Sequence, residues 1–304
     1  MAIMNRTQFA KELERGLNTV FGLDYDQYPE EWRKIFETST SEKAFEEDVL
    51  VTGFGAAPVK AEGASTAYDE GGEAWTSRYT HETIALQFAI TEEAIEDNLY
   101  MQTGAKMAKA LARSMQHTKE IKAAAILNNG FNSSYLGGDG KPLFSTIHPL
   151  AGGGTTSNML ATPADFSETA LEDILIQIRT AKDDRGIPIA LVPKQVCVPP
   201  QLEYIAIRVM SSTLRPGTPD NDVNAIKTKN VFSTMPHVIT RLTDPDFWFV
   251  KTDAMEGLKY FDRVALKKRV EIDHDTGNYK YLTRERYSLG WSDFRAVYGS
   301  QGAA

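Results

Sequence analysis

Histidine is the natural residue type with which to begin a search for chemistry, because a neutral imidazole serves both as a general base and as a metal ligand. The chain contains His81, His117, His148, His237 and His274, and no two of them stand at H-x-H or H-x-x-x-H spacing. Only His148, in the loop sequence STIHPL, has a setting in which a catalytic role competes with a structural one. No nucleophile or partner acid is indicated beside it, so we predict that it caps a turn.

Two other patterns resemble binding motifs and fail on their spacing. Asp273, Asp275 and Gly277 resemble the start of a calcium loop, but glycine stands fifth instead of sixth and Arg284 replaces the terminal glutamate. A turn between two strands is the better interpretation. The run AGGGTTSN, residues 151–158, lacks the Gly-Lys-Ser/Thr of a phosphate-binding loop and has no apolar strand before it. The sequence therefore predicts no catalytic residue, no cofactor and no metal ligand.

The composition limits the class of protein further. With 42% hydrophobic and 24% charged residues among 304, the chain is globular rather than disordered. Cys197 is the single cysteine, which excludes an intrachain disulfide and a thiolate metal cluster, and its apolar surroundings predict burial. The net charge of −8 argues against tight wrapping around nucleic acid. No apolar run is long enough to cross a bilayer and the start has no signal-peptide core, so we expect synthesis and retention in a cytoplasm.

The elements that must position these residues are dominated by one long helix. Thr91 is a suitable N-cap, Glu92 and Glu93 favour the first turn, and no proline occurs before a stop at Asn128. Such a helix would be ~55 Å long, well beyond the average. The charged residues Lys106, Lys109, Arg113 and Lys119 are expected off its contact face, which consists of Ala94, Met101, Ala105, Ala108, Ala112 and Met115.

The segments before this helix lack a core of their own. Residues 1–52 combine short apolar patterns with aromatic and charged stretches. We predict that they form an arm that packs on another surface. Residues 53–80 contain five glycines and few aliphatic side chains. Because β-forming residues follow over 83–88, we predict a long hairpin that projects from the body and returns into a strand.

The second half of the chain alternates helices and strands after a turn-rich passage over 130–165. We predict a helix from Ser167 to Gly186, a buried strand in 187–200, a short helix in 201–212 and an exposed loop over 213–230. Three short strands and a long β-hairpin then precede an ordered aromatic end. The fold class is accordingly α+β.

The order of these parts resembles a known family. Arm, glycine-bearing hairpin, long helix, the passage LFSTIHPLAGGGTTSN, and the strand and helix of LVPKQVCVPPQLEYIAIRVMSS follow one another as in a major capsid protein of tailed double-stranded DNA bacteriophages, with the Hong Kong 97-like fold. The resemblance covers nearly the whole chain and rests on the order of motifs that are individually weak. It implies an N-terminal arm (1–52), an extended E-loop (53–88), a P-domain with its spine helix (89–165), a region that is mainly A-domain (166–262), and a C-terminal hairpin returning to the P-domain (263–304).

The resemblance also implies a function and partners. Such subunits form hexamers and pentamers that close an icosahedral shell around double-stranded DNA, held non-specifically on the inner face. The further partners are a portal and either scaffolding or decoration proteins, without a membrane, and the protein is expected in the virion after assembly in the bacterial host cytoplasm. Two alternatives stay open: an encapsulin-like cellular shell that stores an enzyme, and a cytoplasmic hydrolase with its site near His148.

Overall fold

The computed structural model describes residues 6–25, 27–96, 100–215 and 222–303. The helices are α1 (Arg6–Tyr25), α2 (Glu92–Glu96), α3 (Tyr100–Asn128), α4 (Glu168–Arg179), α5 (Glu203–Ser211) and α6 (Ala225–Thr228). The strands are β1 (Glu37–Thr40), β2 (Phe45–Thr52), β3 (Gly72–Thr80), β4 (Glu82–Ile90), β5 (His148–Pro149), β6 (Thr155–Thr156), β7 (Pro193–Val198), β8 (His237–Val238), β9 (Trp248–Thr252), β10 (Leu258–Ile272), β11 (Tyr279–Trp291) and β12 (Val297–Ser300).

One four-stranded sheet has the order β1-β10-β11-β4 and is built around the long C-terminal hairpin. Strand β10 pairs antiparallel with β11, and Gly277 in the connecting turn has φ +71°, a conformation that glycine adopts without strain. The predicted turn at this place, rather than a calcium loop, is confirmed. Strand β4 pairs antiparallel with β11, and β1 pairs parallel with β10.

The long helix packs across this sheet much as predicted. The Thr91 hydroxyl accepts a hydrogen bond from the backbone N–H of Ala94, and helix α3 runs to Asn128, although residues 97–99 lie outside the described part and so does the side chain of Met101. Ala108, Ala112 and Met115 are buried as expected.

The placement of Lys119 off the contact face is wrong. Its side chain is only 7% exposed, and it pairs with Glu285 of β11. Lys119 follows Ala112 and Met115 at intervals of seven and four, so the helical period places it on the buried face, and the buried carboxylate makes that position tolerable for an ammonium group.

A second four-stranded sheet, with the order β12-β9-β7-β8, carries α4 and α5 and has its own apolar core. The Ser167 hydroxyl caps α4 by accepting from the N–H of Ala170, and the predicted start of this helix is confirmed. The predicted helix end at Gly186 is wrong, because α4 stops at Arg179. The Asp183 carboxylate accepts hydrogen bonds from two later backbone N–H groups and holds residues 183–187 in a turn.

Two other predictions for this half need correction. The buried strand predicted over 187–200 is shorter, since β7 covers only Pro193–Val198. The segment 213–230 is not simply an exposed loop, although residues 216–221 lie outside the described part. Its second half forms α6, in which the fully buried Asn224 side chain caps the first turn and Ile226 enters the core.

The predicted hairpin is present, and it begins earlier than residue 53. Strand β2 pairs antiparallel with β3, so residues 53–71 form the connection and β2 comes from the segment read as an arm. Strand β4 then returns into the first sheet, as predicted. Helix α1 packs on α3 of its own chain through the buried side chains of Leu17 and Phe21.

Candidate functional site: buried polar clusters and the exposed hairpin

His148 is completely buried, and both of its ring nitrogens have partners. Its Nδ1 lies 2.5 Å from Asp139 Oδ2 and its Nε2 lies 3.2 Å from Asn158 Oδ1, while the ring stacks on Phe294 at a centroid distance of 3.8 Å. The Asp139 side chain is buried as well. The imidazole therefore has no face open to a substrate, and the geometry supports the structural interpretation.

The orientation of Asn158 defines the protons of this cluster. Its Nδ2 donates to the carbonyl oxygens of Leu143 and Val297, so its Oδ1 is the acceptor that faces the imidazole. An N–H at His148 Nε2 satisfies this acceptor, while Asp139 lies against the other ring nitrogen. The cluster links the irregular 130–165 passage to the C-terminal segment and stabilises their relative position.

A second buried polar cluster surrounds Lys119. Its Nζ lies 2.8 Å from Glu285 Oε2 and donates to the Tyr25 hydroxyl at 3.0 Å, with the rings of Trp32 and Tyr260 about 6 Å away. Burial alone would lower the pKa of Lys119, but the Glu285 carboxylate holds it above its ordinary value. The ammonium group thus stays charged inside the protein, next to a cavity of about 690 Å³.

Glu120, the next residue, joins the N-terminal segment to α3. Its two carboxylate oxygens accept hydrogen bonds from the backbone N–H groups of Glu31 and Trp32 at 2.7 and 3.2 Å. Glu31 in turn accepts from the backbone N–H of Thr240, and its carbonyl oxygen lies 2.9 Å from His237 Nε2. Burial raises the pKa of Glu120 to about 7. These contacts tie three separate parts of the chain together.

The β2–β3 hairpin presents the opposite situation. Val59 and Tyr68 are completely exposed, and Val51 and Phe54 are each 66% exposed. Within the connection, the Asp69 carboxylate accepts from the Gly55 N–H at 2.6 Å and from Arg185 Nη1 at 3.3 Å, which shapes the loop without covering these apolar side chains. These side chains leave apolar surface uncovered on the hairpin, which makes it a candidate contact surface.

The remaining residues considered for chemistry are not arranged for it. Cys197 is completely buried, and burial raises the pKa of its thiol to about 12, so it is a small core residue as predicted. Among the described residues, no three histidine, cysteine or acidic side chains converge to hold a metal ion. Within the same parts of the chain, no helix is long and apolar enough to span a bilayer.

Sequence reasoning missed the two polar clusters of α3, and only one signal could have indicated them. Extending the contact face by its own period from Met115 includes Lys119, and one residue further Glu120 borders it. The sequence contains no corresponding signal for the partners, since Glu285 and Thr240 are far away along the chain.

The same course of the chain occurs in solved shell proteins. The virus-like particle from Pyrococcus furiosus matches with a TM-score of 0.55 at 11% identity, over 94% of this chain and 98% of that one. The bacteriophage JBD30 procapsid matches with a TM-score of 0.51 at 15% identity, over 98% and 76% of the two chains. The capsid of an empty GTA particle gives 0.53 at 13% identity, over 90% of each. The class is therefore that of proteins with the Hong Kong 97-like capsid fold.

The sequence itself defines the family. A family model described as phage capsid protein matches residues 73–300, well over half of the chain. The chain belongs to the phage capsid protein family and is a structural subunit of the phage head, located in the virion. Among curated proteins, no sequence matches this chain. The resemblance inferred from the order of motifs is confirmed.

Proposed function

We propose that this subunit self-assembles as hexamers and pentamers into a closed icosahedral shell around double-stranded DNA. The observation that carries the proposal is the β2–β3 hairpin. In the connection between its paired strands, Val59 and Tyr68 are completely exposed and are not covered by their own chain. A neighbouring subunit that receives the hairpin would bury this surface, and a ring of subunits would repeat the contact in a closed array.

The domain roles follow the same proposal. Residues 1–52 are the N-terminal arm, 53–88 the E-loop, 89–165 the P-domain with the spine helix, 166–262 mainly the A-domain, and 263–304 the hairpin and return to the P-domain. In this assignment the first strand of the E-loop hairpin, β2, comes from the range of the arm, since β2 pairs with β3. The last residues of 166–262 likewise open β10 of the first sheet. The further partners in this proposal are a portal and a scaffolding or decoration protein.

The role is structural, without turnover. The buried setting of His148 and its partners supports this against a hydrolase site in the 130–165 passage, because no substrate could approach the imidazole. The proposal also includes the absence of catalytic, cofactor and metal sites, since the subunit's work is to bury surface against its neighbours.

Electron microscopy of the purified protein over a concentration series, with sedimentation to measure mass, tests the proposal. Closed particles or ring-like capsomers are expected. A homogeneous monomer that fails to assemble even with its scaffold supplied would refute it. The contents of particles from the native source separate a phage head from an enzyme-storing shell, because a head contains DNA and the cellular shell contains a protein cargo.

A further inference from the structure

Helix α3 has a basic face turned away from the body of the protein. Lys106, Lys109, Arg113 and His117 recur at spacings of three and four, and all are exposed. The opposite side of the helix, which includes Ala108, Ala112 and Met115, is buried against α1 and the first sheet. We call Lys106, Lys109, Arg113 and His117 the spine basic face.

Acidic residues are excluded from this part of the helix. The chain has 41 acidic residues and a net charge of −8, yet none occurs between Tyr100 and Lys119. Glu120, which follows, is buried and directed at the backbone of Glu31 and Trp32. A solvated helix surface usually mixes both signs, so a single-signed face on an acidic protein indicates an anionic partner.

The contacts that the face makes leave its charge largely uncompensated. Lys109 Nζ lies 3.9 Å from Asp24 Oδ1, and the lysine side chain is still 58% exposed. Arg113 stands over the ring of Tyr28, a contact that leaves its charge in place. At the end of the face the Nε of Arg241 donates to His117 Nδ1 at 3.4 Å, but Arg241 is already paired with Glu31, whose Oε2 lies 3.6 Å from its Nη1, so it adds little net charge to the face.

We infer that the spine basic face is the surface on which the subunit contacts the phosphate backbone of packaged duplex DNA. This inference rests on the proposed function. From Lys106 to His117 the helix spans ~16 Å, and the same length of duplex carries about ten phosphate charges. The three charged side chains along this line, Lys106, Lys109 and Arg113, hold a duplex weakly and without sequence preference. The net charge of −8 limits the adhesion elsewhere.

The outer face of the first sheet is the competing basic surface. Lys267 and Arg284 are exposed and directly paired across β10 and β11. Carboxylates of the same hairpin already neutralise two of its other cations, because Arg269 lies 3.8 Å from Glu271 and Lys280 lies 2.8 Å from Asp273. The sheet face is therefore the weaker candidate, and it supplies a control with the same loss of charge.

The test measures how salt weakens the binding of a short random-sequence duplex to unassembled subunits. The wild type is compared with a spine variant and a sheet variant by fluorescence anisotropy between about 50 and 200 mM salt. Both variants remove three positive charges. The spine variant carries Lys106→Gln, Lys109→Gln and Arg113→Gln, and the sheet variant carries Lys267→Gln, Arg269→Gln and Arg284→Gln.

The expected result is a change of slope confined to the spine variant. Each lost phosphate contact reduces the dependence of log K on log salt by about 0.9, so the triple change should flatten it by about 2.7, with the sheet variant unchanged. Equal slopes in all three proteins, a loss only in the sheet variant, or no wild-type binding at low salt would each overturn the inference. Tighter binding of polyglutamate than of duplex would also overturn it, in favour of an acidic protein partner.

Two controls keep the result interpretable. Glutamine and lysine have similar helix propensities, so α3 should persist, and circular dichroism verifies it. Should the triple variant unfold, Arg113→Gln alone is expected to lower the slope by about 0.9, while Arg113→Lys keeps it. If the wild type forms shells and the variants keep the wild-type slope of log K against log salt, this inference alone is overturned. If the wild type binds duplex but never assembles, only the proposed function is refuted.

Discussion

The core beneath α4 buries its apolar side chains, whereas the connection of the β2–β3 hairpin exposes apolar side chains to solvent. Leu171, Ile174 and Trp248 are completely buried within the subunit. Val59 and Tyr68 of the hairpin connection are completely exposed. The body therefore buries its apolar side chains within one chain, whereas the hairpin connection leaves two of its own uncovered, a surface that the proposed assembly would bury.

The hairpin is nonetheless anchored at its base. Tyr79 of β3 packs edge-on against Phe261 with ring centroids 4.9 Å apart, and its hydroxyl lies 2.5 Å from the hydroxyl oxygen of Ser292. The same Ser292 hydroxyl donates to Asp48 of β2. Because an isolated two-stranded hairpin is marginal in water, these contacts at the base help to stabilise the pairing of the two strands. The hairpin is thus held by its own chain at its base and leaves apolar side chains uncovered in its connection.

The largest effect on the body is expected from Lys119→Met. The substitution leaves the Glu285 carboxylate buried without its ammonium partner, which costs about 3–5 kcal/mol of unfolding free energy. Denaturant unfolding of the subunit measures it. In the same helix, Lys122→Met removes an ion pair with the exposed Glu82 and should cost at most about 1 kcal/mol.

A double variant separates charge from packing at this place. Lys119→Met combined with Glu285→Leu removes both ions and should recover most of the lost stability. If the single variant proves as stable as the wild type, the body does not depend on this pair, and the contrast with the hairpin is weaker than the structure indicates.

Helix α4 offers a matched test of the apolar core. Ile174 is completely buried and Ile176 is 60% exposed. Ile174→Ala should lower the unfolding free energy by about 2–5 kcal/mol, and Ile176→Ala should change it by less than about 0.5 kcal/mol. Similar losses for both would mean that Ile176 is covered in solution, and unfolding at several concentrations would reveal such association.

The sequence predicted the parts of the fold that local patterns determine. Ser167 with Leu171 and Ile174 defined the start and the buried face of α4, and the turn at Gly277 followed from its neighbours. The early start of the hairpin had only a weak signal, because FEEDVLVT, residues 45–52, ends in the β-forming run VLVT but does not alternate between apolar and polar side chains. The three acidic residues before that run obscured it.

The candidate site was less accessible because its contacts are made over long sequence separations. Lysine at position 119 indicates solvent by its type, and only Glu285 on a distant strand reverses that expectation. His148, Asp139 and Asn158 lie close in sequence, yet they belong to an irregular passage. Such a passage has no helical or strand periodicity from which their side-chain contact could be predicted. Family membership was inferred from the order of segments, which survives when single motifs are weak.

The pH dependence of stability should report the junction at Glu120. Burial raises its pKa in the folded protein from 4.5 to about 7. Below pH 4.5 both states hold the proton, and between 4.5 and 7 only the folded state holds it, so the unfolding free energy falls as pH rises through this window. The fall amounts to at most about 3 kcal/mol.

Subtraction of a variant isolates this contribution from other titrating groups. Glu120→Gln keeps one acceptor for the backbone of Glu31 and Trp32 and cannot titrate. Denaturant unfolding at several pH values should give curves that diverge between wild type and variant in this window. Parallel curves would show that Glu120 titrates with an ordinary pKa, and the link between the N-terminal segment and α3 would then be insensitive to pH.

The smallest effect on subunit stability is expected from the hairpin, with Val59→Ser and Tyr68→Ser combined. Both side chains are fully exposed, so the unfolding free energy of the free subunit should change by less than about 0.5 kcal/mol. Sedimentation should nevertheless show a loss of assembly, since the two completely exposed apolar side chains offered to a neighbour are gone. Ile272, half exposed at the end of β10, supplies Ile272→Ser as a control that should assemble normally. Normal assembly of the double variant would contradict the view that another subunit buries the exposed side chains of the hairpin. A stable subunit that no longer assembles would show that the buried core determines subunit stability and that the exposed hairpin side chains determine assembly.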